Sequence, residues 1–276
     1  MIKSITAKLS LLFLLISITT CYYEREIHEE LEICFKSMTG LNIMNIDDLK
    51  QEPLTLNNYD NNPSWSPDGK RILFERNSEI YIINSDRTGL KKLIDSTLGI
   101  NQFPTWSADG KKIIFKSGSS PNNYIFIADT DGNIISKLGP YDEPEYPILS
   151  PDENFIYFTS ALWPFNLYRI NLKTNQQDKI GDKNYSSISL SPDGKTLACT
   201  YNSTSSEIVF ISTDGIATTH TLFTQGKEPC WTPDGKTIIY SNDNLIYTKN
   251  IDGTEGKPLI TGINMYHTPC VKWKPR

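Results

Sequence analysis

Short apolar runs, each preceded by a tight-turn signal, recur along most of this chain. Ile72-Leu73-Phe74, Ile113-Ile114-Phe115 and Ile238-Ile239-Tyr240 are wholly apolar. They lack the alternation of a strand with one face in water, and are typical of strands covered on both faces. A turn such as Pro67-Asp68-Gly69 comes before each run, and its proline and glycine supply the backbone angles of a tight hairpin. The pattern predicts short, buried antiparallel strands joined by hairpins.

The unit of turn and strand repeats at a nearly constant spacing. The turn aspartates are separated by 41, 43, 41 and 41 residues: Asp68, Asp109, Asp152, Asp193 and Asp234. A period of about 40–45 residues is typical of β-propellers, in which each repeat is a four-stranded blade. Third strands such as Ile80-Tyr81-Ile82-Ile83 and second turns such as Thr213-Asp214-Gly215 complete the repeats, and no room is left for helices.

Partial repeats at the two ends predict how the ring closes. Residues 270–276 match an inner strand, since Trp273 lies 42 residues after Trp231. Ile33-Cys34-Phe35 matches a second strand, and Leu41-Asn42-Ile43-Met44 a third. Closure removes free sheet edges, so we expect the two partial repeats to complete one blade. The sequence therefore predicts an all-β, six-bladed β-propeller whose ring is closed by the C-terminal strand completing the N-terminal blade.

The repeated run Pro-x-Trp-Ser-Pro-Asp-Gly-Lys, as at residues 63–70, resembles the propeller repeat of the TolB family. Similar repeats occur in dipeptidyl-peptidase-type and prolyl-oligopeptidase-type propellers. The resemblance covers about residues 31 to 276 and implies the fold. TolB carries an α/β domain before its propeller, whereas here we expect only Tyr22 to Glu30 before the first blade. The resemblance therefore leaves the partners open, and because we expect no hydrolase domain it does not extend to peptidase chemistry.

The N-terminal segment predicts export. Lys3 and Lys8 precede the apolar run of residues 9–16, which is short for a membrane span and typical of a secretory signal. Ile18-Thr19-Thr20-Cys21 resembles a bacterial lipobox, from which Thr20 departs. We expect residues 1–20 to be a lipoprotein-type signal peptide, residues 21–30 a linker, and residues 31–276 the propeller. Lipidated Cys21 implies a periplasmic or outer-membrane, cell-surface location; the alternative is a conventional signal peptide with an incidental cysteine.

Charge and composition exclude several classes of function. Removing residues 1–20 takes away two lysines and no acids, so the formal charge moves from −5 to −7. Such an acidic protein lacks the basic surface of a nucleic-acid binder, and we expect membrane contact through the lipid anchor only. No GxSxG, P-loop or GxGxxG is present, and the cysteines form no CxxC pair. We predict no metal site, no cofactor and no catalytic residue.

Candidate ligand-binding residues lie in the variable loops on one predicted face of the ring. They are Tyr59, Tyr141, Asp142, Glu145, Trp163, Phe165, Tyr185, Tyr266 and His267. Trp163 has two interpretations: an exposed anchor for a partner, or a side chain folded back over blade four, where Leu149 replaces the usual tryptophan. The acidic segment 141–146 either takes a cation or basic peptide, or is a solvated loop. By contrast, Trp65, Trp106, Trp231 and Trp273 are predicted to fill the gaps between blades.

These observations favour a monomeric binding module for an envelope protein or peptide. The alternatives are a carbohydrate-active propeller enzyme using carboxylates such as Asp142 or Glu145, and a carbohydrate-binding protein without catalysis. A pocket with two carboxylates of perturbed pKa would favour the enzyme, and a flat or apolar face would favour the module.

Overall fold

A computed structural model describes residues 30–181, 183–214, 221–243, 245–260 and 270–274. These residues form strands and one short 3-10 helix, Ser96–Leu98, and among them no helix has the length and apolar character to span a membrane. The predicted signal peptide, Cys21 and the linker before Glu30 lie outside the described residues.

The described strands, numbered in chain order, form six four-stranded antiparallel sheets. Each sheet is one blade, so the predicted all-β, six-bladed propeller is confirmed. From inner to outer strand, blade 1 contains β24 (Cys270–Lys274), β1 (Glu30–Lys36), β2 (Leu41–Asn45) and β3 (Gln51–Pro53), and blade 2 contains β4 (Asp60–Trp65), β5 (Arg71–Arg76), β6 (Glu79–Asn84) and β7 (Lys91–Ile94). Blade 3 contains β8 (Gln102–Trp106), β9 (Lys112–Ser119), β10 (Asn122–Asp129) and β11 (Ile134–Tyr141), and blade 4 contains β12 (Pro144–Leu149), β13 (Phe155–Ser160), β14 (Leu167–Asn171) and β15 (Gln176–Gly181). Blade 5 contains β16 (Tyr185–Leu190), β17 (Thr196–Asn202), β18 (Ser206–Ser212) and β19 (Thr221–Gln225), and blade 6 contains β20 (Lys227–Trp231), β21 (Thr237–Asn242), β22 (Leu245–Asn250) and β23 (Glu255–Ile260).

Blade 1 combines strands from both ends of the sequence. β24 pairs antiparallel with β1, with Glu30 opposite Lys274 and Cys34 opposite Cys270. Closure of the ring by this pairing stays a prediction, which deletion of residues 270–276 tests.

The core consists of apolar clusters between neighbouring blades. Trp65 is 7% exposed and packs with Leu41 of blade 1 and Phe74 of blade 2. Trp106 and Trp231 are buried in equivalent clusters, so these three tryptophans have the predicted structural role. Leu149 takes the same place in blade 4. The side chain of Trp273 lies outside the described part of the chain.

The Asp-Gly hairpins owe their regularity to a hydroxyl group two residues before each aspartate. Ser107 Oγ donates to Asp109 Oδ1 over 2.7 Å and accepts from the Lys112 N–H over 2.9 Å. The turn glycines have a positive φ, which is 69° at Gly110, where an L side chain would be strained. The equivalent pairs in the other blades are Ser66–Asp68, Ser150–Asp152, Ser191–Asp193 and Thr232–Asp234. The repeated aspartates are therefore turn-forming residues.

Three cysteine side chains pack as small apolar groups. Cys34 and Cys199 are buried, and Cys230 is half-buried against an apolar cluster.

Candidate binding face and channel mouth

The course of the strands divides the propeller into two faces. In blade 2 the hairpins at residues 66–70 and 85–90 lie at one end of the strands. The loop at 77–78 and the link to blade 3 at 95–101 lie at the other end. We call the end with the Asp-Gly hairpins the turn face, and the end with the links between blades the link face.

The inner strands of blades 2 to 6 each have a β-bulge near the link face. The bulged residues have a positive φ of 42° to 55°: Asn62, Phe103, Tyr146, Ser187 and Glu228. Strand register shifts at the same points. A positive φ is uncommon for residues other than glycine and costs about 1–3 kcal/mol, and such bulges re-aim side chains near functional sites.

A cavity of about 170 Å³ lies among these inner strands. Its wall includes Asn62, Phe103 and Tyr146 from the bulges, together with Ile148 and Ile188. The rings of Phe103 and Tyr146 approach to 4.5 Å between centroids. Since its walls come from β4, β8, β12, β16 and β20, the cavity is part of the central channel. It is smaller than the roughly 300–1,000 Å³ of typical small-molecule sites.

A ring of buried polar residues follows the apolar run of each second strand. It comprises one residue per blade, none more than 8% exposed: Lys36, Glu75, Lys116, Thr159, Thr200 and Ser241. Polar side chains are buried at low cost only when they are hydrogen-bonded. We call this set the polar ring.

Members of the polar ring hold the bulges in place. Glu75 accepts from the Phe103 N–H over 3.4 Å and from the side-chain amide of Asn62. The Thr200 hydroxyl accepts from the Glu228 N–H over 2.8 Å. These bonds join blade 2 to blade 3 and blade 5 to blade 6, so the polar ring fixes the strained backbone at the channel mouth.

Burial raises the pKa values of three carboxyl groups at the channel mouth. Burial raises the pKa of Glu75 to about 7, although the bonds from Asn62 and Phe103 oppose the shift. Burial also raises the pKa values of Glu145 and Glu228. The pKa of Tyr146 rises to about 12, chiefly through burial, with Glu145, Glu228 and Glu75 adding to the effect. The three acids therefore lie within electrostatic reach of Tyr146.

One buried lysine partly balances these acids. Lys116 Nζ lies 2.8 Å from Glu143 Oε2 and lowers the pKa of that carboxyl. Its charge also opposes the upward pKa shifts of Glu75 and Glu145. Across the described residues, no group of histidine, cysteine and acidic side chains is arranged to hold a metal ion. The mouth is thus an apolar cavity with buried carboxyl groups beside its wall, suited to a cationic or hydrogen-donating group.

Trp163 lies on the surface of the link face. It is 81% exposed, and Leu162 beside it is 49% exposed. The interpretation that Trp163 folds back over blade 4 is therefore wrong. Phe165 is half-buried, and its N–H donates to the Leu162 carbonyl over 2.7 Å, which closes the loop.

The acidic segment 141–146 is only partly solvated. Tyr141 packs on Phe158 with 5.4 Å between ring centroids, whereas Asp142 is exposed. Glu145 is half-buried next to Tyr146, at the channel mouth. The structure therefore brings Glu145 into the mouth and leaves Asp142 on the outer surface of the same face.

The remaining predicted residues are separated by the fold. Tyr59 is 61% exposed on the link between blades 1 and 2. Tyr185, one of the candidate ligand-binding residues, is instead 1% exposed and packs in a core cluster with Leu167. It fits there because Gly181 has no Cβ, which would lie 2.6 Å from the ring. Tyr266, His267 and Cys21 lie outside the described residues.

Sequence reasoning missed Glu75, Lys116 and Glu228. A signal was present, because Glu75 and Lys116 stand at the same place in successive repeats, directly after the apolar run. Glu228 lies three residues before Trp231, as Phe103 lies three before Trp106. A comparison of polar residues at equivalent repeat positions would have found these sites.

Comparisons with known proteins agree with this architecture. A family model described as the TolB beta propeller domain matches residues 56–163, and no curated protein matches the chain. TolB from Acinetobacter baumannii is similar in structure, with a TM-score of 0.75 and 18% identity over 89% of this chain and 67% of that chain. A putative TolB from Agrobacterium tumefaciens has a TM-score of 0.68 and 17% identity over 86% and 90% of the two chains.

A chain in a crystal structure of a nidogen/laminin complex is also similar, with a TM-score of 0.69 and 10% identity over 89% of this chain and 100% of that chain. At such identities the likeness shows the fold alone. Residues 56–163 therefore match the TolB β-propeller domain model, and the six-bladed propeller in which they lie resembles in fold the propellers of TolB proteins.

Proposed function

We propose that this protein is a binding module of the cell envelope that contacts another protein or a peptide through its link face. The exposure of Trp163 carries the proposal. An 81% exposed tryptophan next to an exposed leucine, on a loop joined to a rigid blade, is a typical anchor for a partner. Covering a large exposed apolar side chain with a partner lowers the free energy of the complex.

The channel mouth on the same face supports a partner with a projecting cationic side chain. The cavity of about 170 Å³ is too small for most small-molecule ligands but suits a single inserted side chain. The buried carboxyl groups of Glu75, Glu145 and Glu228 lie beside its wall, and pairing with a cation would offset the burial that raises their pKa values. One similar structure is of a nidogen/laminin complex, so a chain of this fold takes part in a protein assembly there.

The test is a crosslinking capture from envelope membranes. We expect intact protein to capture a partner that Trp163→Ala loses, because the variant removes the exposed anchor without touching the core. Ile135→Ala is the matched control, since Ile135 is 56% exposed on the outer strand of blade 3. Equal capture by Trp163→Ala and Ile135→Ala would refute the proposal that the link face binds the partner.

Export and anchoring belong to the same proposal. Residues 1–20 direct the protein to the periplasm or cell surface, and Cys21 carries the lipid that holds a monomer on the membrane. Cys21→Ser is expected to move the protein from the membrane fraction to the soluble fraction and to remove the acyl mass from the mature N-terminus. An unchanged distribution and mass would contradict the anchor.

A second candidate function, hydrolysis of a carbohydrate, is favoured by the carboxyl groups of raised pKa at the channel mouth, Glu75, Glu145 and Glu228. The Glu75 carboxyl has a pKa of about 7, which suits proton transfer at neutral pH. Incubation with a glycan panel tests this alternative. Cleavage by intact protein that Glu75→Gln abolishes would support the enzyme, and an uncleaved panel together with partner capture would exclude it.

A further inference from the structure

Prolines on the inner strands supply hydrogen-bond acceptors to the channel cavity. Pro63, Pro104 and Pro229 lie on the inner strands of blades 2, 3 and 6, and all three line the cavity. In an antiparallel strand the N–H and C=O of one residue point to the same edge, and proline fits only where that edge is unpaired. The other edge of each inner strand pairs with the second strand of its blade. The three proline carbonyls therefore point toward the channel, at positions where proline has no N–H to donate.

Two side-chain contacts agree with a wall rich in acceptors. The Pro147 carbonyl of blade 4 accepts from the Thr105 hydroxyl of blade 3 over 2.6 Å, so this carbonyl points out of its own sheet. The side-chain amide of Asn62 donates to Glu75, which turns the amide oxygen away from that carboxyl. This Oδ1 atom is buried, and within the described part of the chain no group donates a hydrogen bond to it. Because a buried acceptor without a donor is costly, a ligand that donates to Asn62 is favoured.

Charge beside the wall favours a cation among the possible donors. Burial opposes ionisation of the carboxyl groups of Glu75, Glu145 and Glu228. All three lie within electrostatic reach of Tyr146, which lines the cavity. A cation held there would stabilise their ionised forms. The nearby Lys116 is already paired, with its Nζ 2.8 Å from Glu143 Oε2.

The aromatic part of the wall selects a planar cation. Phe103 and Tyr146 both line the cavity, and their ring planes are inclined at 44° with 4.5 Å between centroids. A guanidinium group stacks on aromatic faces, and it is more weakly hydrated than an ammonium, so it enters an apolar wall at lower cost. Its N–H groups spread in one plane, which allows it to donate to several acceptors at once.

We propose that the channel cavity receives the guanidinium group of an arginine side chain from the partner protein. The guanidinium stacks on Phe103 or Tyr146 and donates to Asn62 Oδ1 and to the proline carbonyls. This assignment rests on the partner-binding role proposed for the link face. It adds a polar point of recognition to the apolar anchor at Trp163.

Small cations test the cavity without the partner. The purified protein is titrated with ethylguanidinium and, separately, with n-butylammonium, and binding is followed by the broadening of the cation's proton NMR signals. Ethylguanidinium is expected to bind about tenfold more tightly, because it alone is planar and weakly hydrated. Equal affinity for the two cations, or no binding of ethylguanidinium, would overturn the assignment.

Two variants locate the bound cation. Phe103→Leu removes an aromatic face and keeps an apolar side chain, so ethylguanidinium should bind about fivefold more weakly. Asn62→Gly removes the buried acceptor and suits the φ of 46° at this bulge, and it should also weaken binding. Phe155→Leu is the matched control, because Phe155 is also half-buried and packs against a guanidinium, with Arg169 Cζ 5.0 Å from its ring centroid. It lines no part of the cavity and should bind ethylguanidinium like the parent.

Urea unfolding of each variant checks that it is folded, so a loss of binding can be assigned to the cavity. Unchanged binding in both Phe103→Leu and Asn62→Gly would place the cation elsewhere and overturn the site. Trp163→Ala should keep the parent's affinity for ethylguanidinium, which separates this test from partner capture. If ethylguanidinium does not bind but Trp163→Ala still loses the partner, the arginine site fails and the link-face interaction stands. Binding of ethylguanidinium without capture of a partner would support the guanidinium site and count against the proposed function alone.

Discussion

Replacing Glu75 with glutamine tests the electrostatics of the channel mouth. Glu75 is 8% exposed, and burial raises its pKa to about 7. Glutamine has nearly the same shape, and its amide oxygen can accept the bonds that Asn62 and the Phe103 N–H donate to the carboxyl. The variant therefore mimics the protonated residue and removes only the ionisation.

The sign and size of the effect follow from linkage. The folded protein holds the Glu75 proton up to about pH 7, whereas an unfolded chain releases it near pH 4.5. The contribution of Glu75 to stability is therefore fully present below pH 4.5 and is lost as pH rises to 7. The shift corresponds to about 3 kcal/mol of unfolding free energy. Glu75→Gln does not lose this contribution, so its stability relative to the parent should rise by about that amount between pH 4 and pH 8.

Urea unfolding followed by tryptophan fluorescence, at half-unit steps across this range, measures the difference. Glu79→Gln is the control, because a hydrogen bond from Lys92 lowers the pKa of Glu79. The contribution of Glu79 to stability is lost only at more acidic pH. The stability of Glu79→Gln relative to the parent should therefore stay constant above pH 5. A free-energy difference between Glu75→Gln and parent that does not vary with pH would refute the burial of an ionisable Glu75.

Three further predictions concern the ring and its turns. Deleting residues 270–276 should open the ring, and a truncated protein that kept the parent's single cooperative unfolding transition would show that β24 does not close it. Asp60 is 0% exposed and accepts two hydrogen bonds from Arg76, of 2.5 and 2.8 Å. Asp60→Ala leaves the arginine unpaired, so urea unfolding should show a loss of about 3–5 kcal/mol in unfolding free energy. A loss below about 1 kcal/mol would contradict this. Ser107→Ala should cost about 1 kcal/mol in urea unfolding, because Asp109 and a backbone N–H lose their shared partner; a neutral result would show that the hydroxyl is dispensable.

The architecture was predictable because each blade repeats the same turn and nearly the same strand pattern. Pro67-Asp68-Gly69 specifies a turn by its own backbone preferences, and Trp65 occupies the same position as Trp106 and Trp231. Both signals depend on residues close together in the sequence, so they can be recognised without knowledge of the neighbouring blades. Their nearly constant spacing then determines the number of blades.

The candidate site was predicted only in part. Glu145 and Trp163 were found because they stand in variable loops, and the structure leaves Trp163 exposed. Tyr185 has the same sequence character as an exposed loop aromatic, yet the missing side chain of Gly181 opens a place for it in the core. Glu75 follows an apolar run and resembles a solvated strand end, but the bulge at Phe103 covers it.

By itself the sequence determined the repeat, its turns, its apolar strands and the tryptophans between blades, because those depend on residues close together in the chain. The tertiary structure alone decided which polar residues are buried at the channel mouth and which aromatic residues reach the solvent. Both depend on residues of neighbouring blades meeting across the gap between them, as Glu75 meets the backbone of Phe103. The desolvation that raises the pKa of Glu75 exists only after blade 3 packs against blade 2.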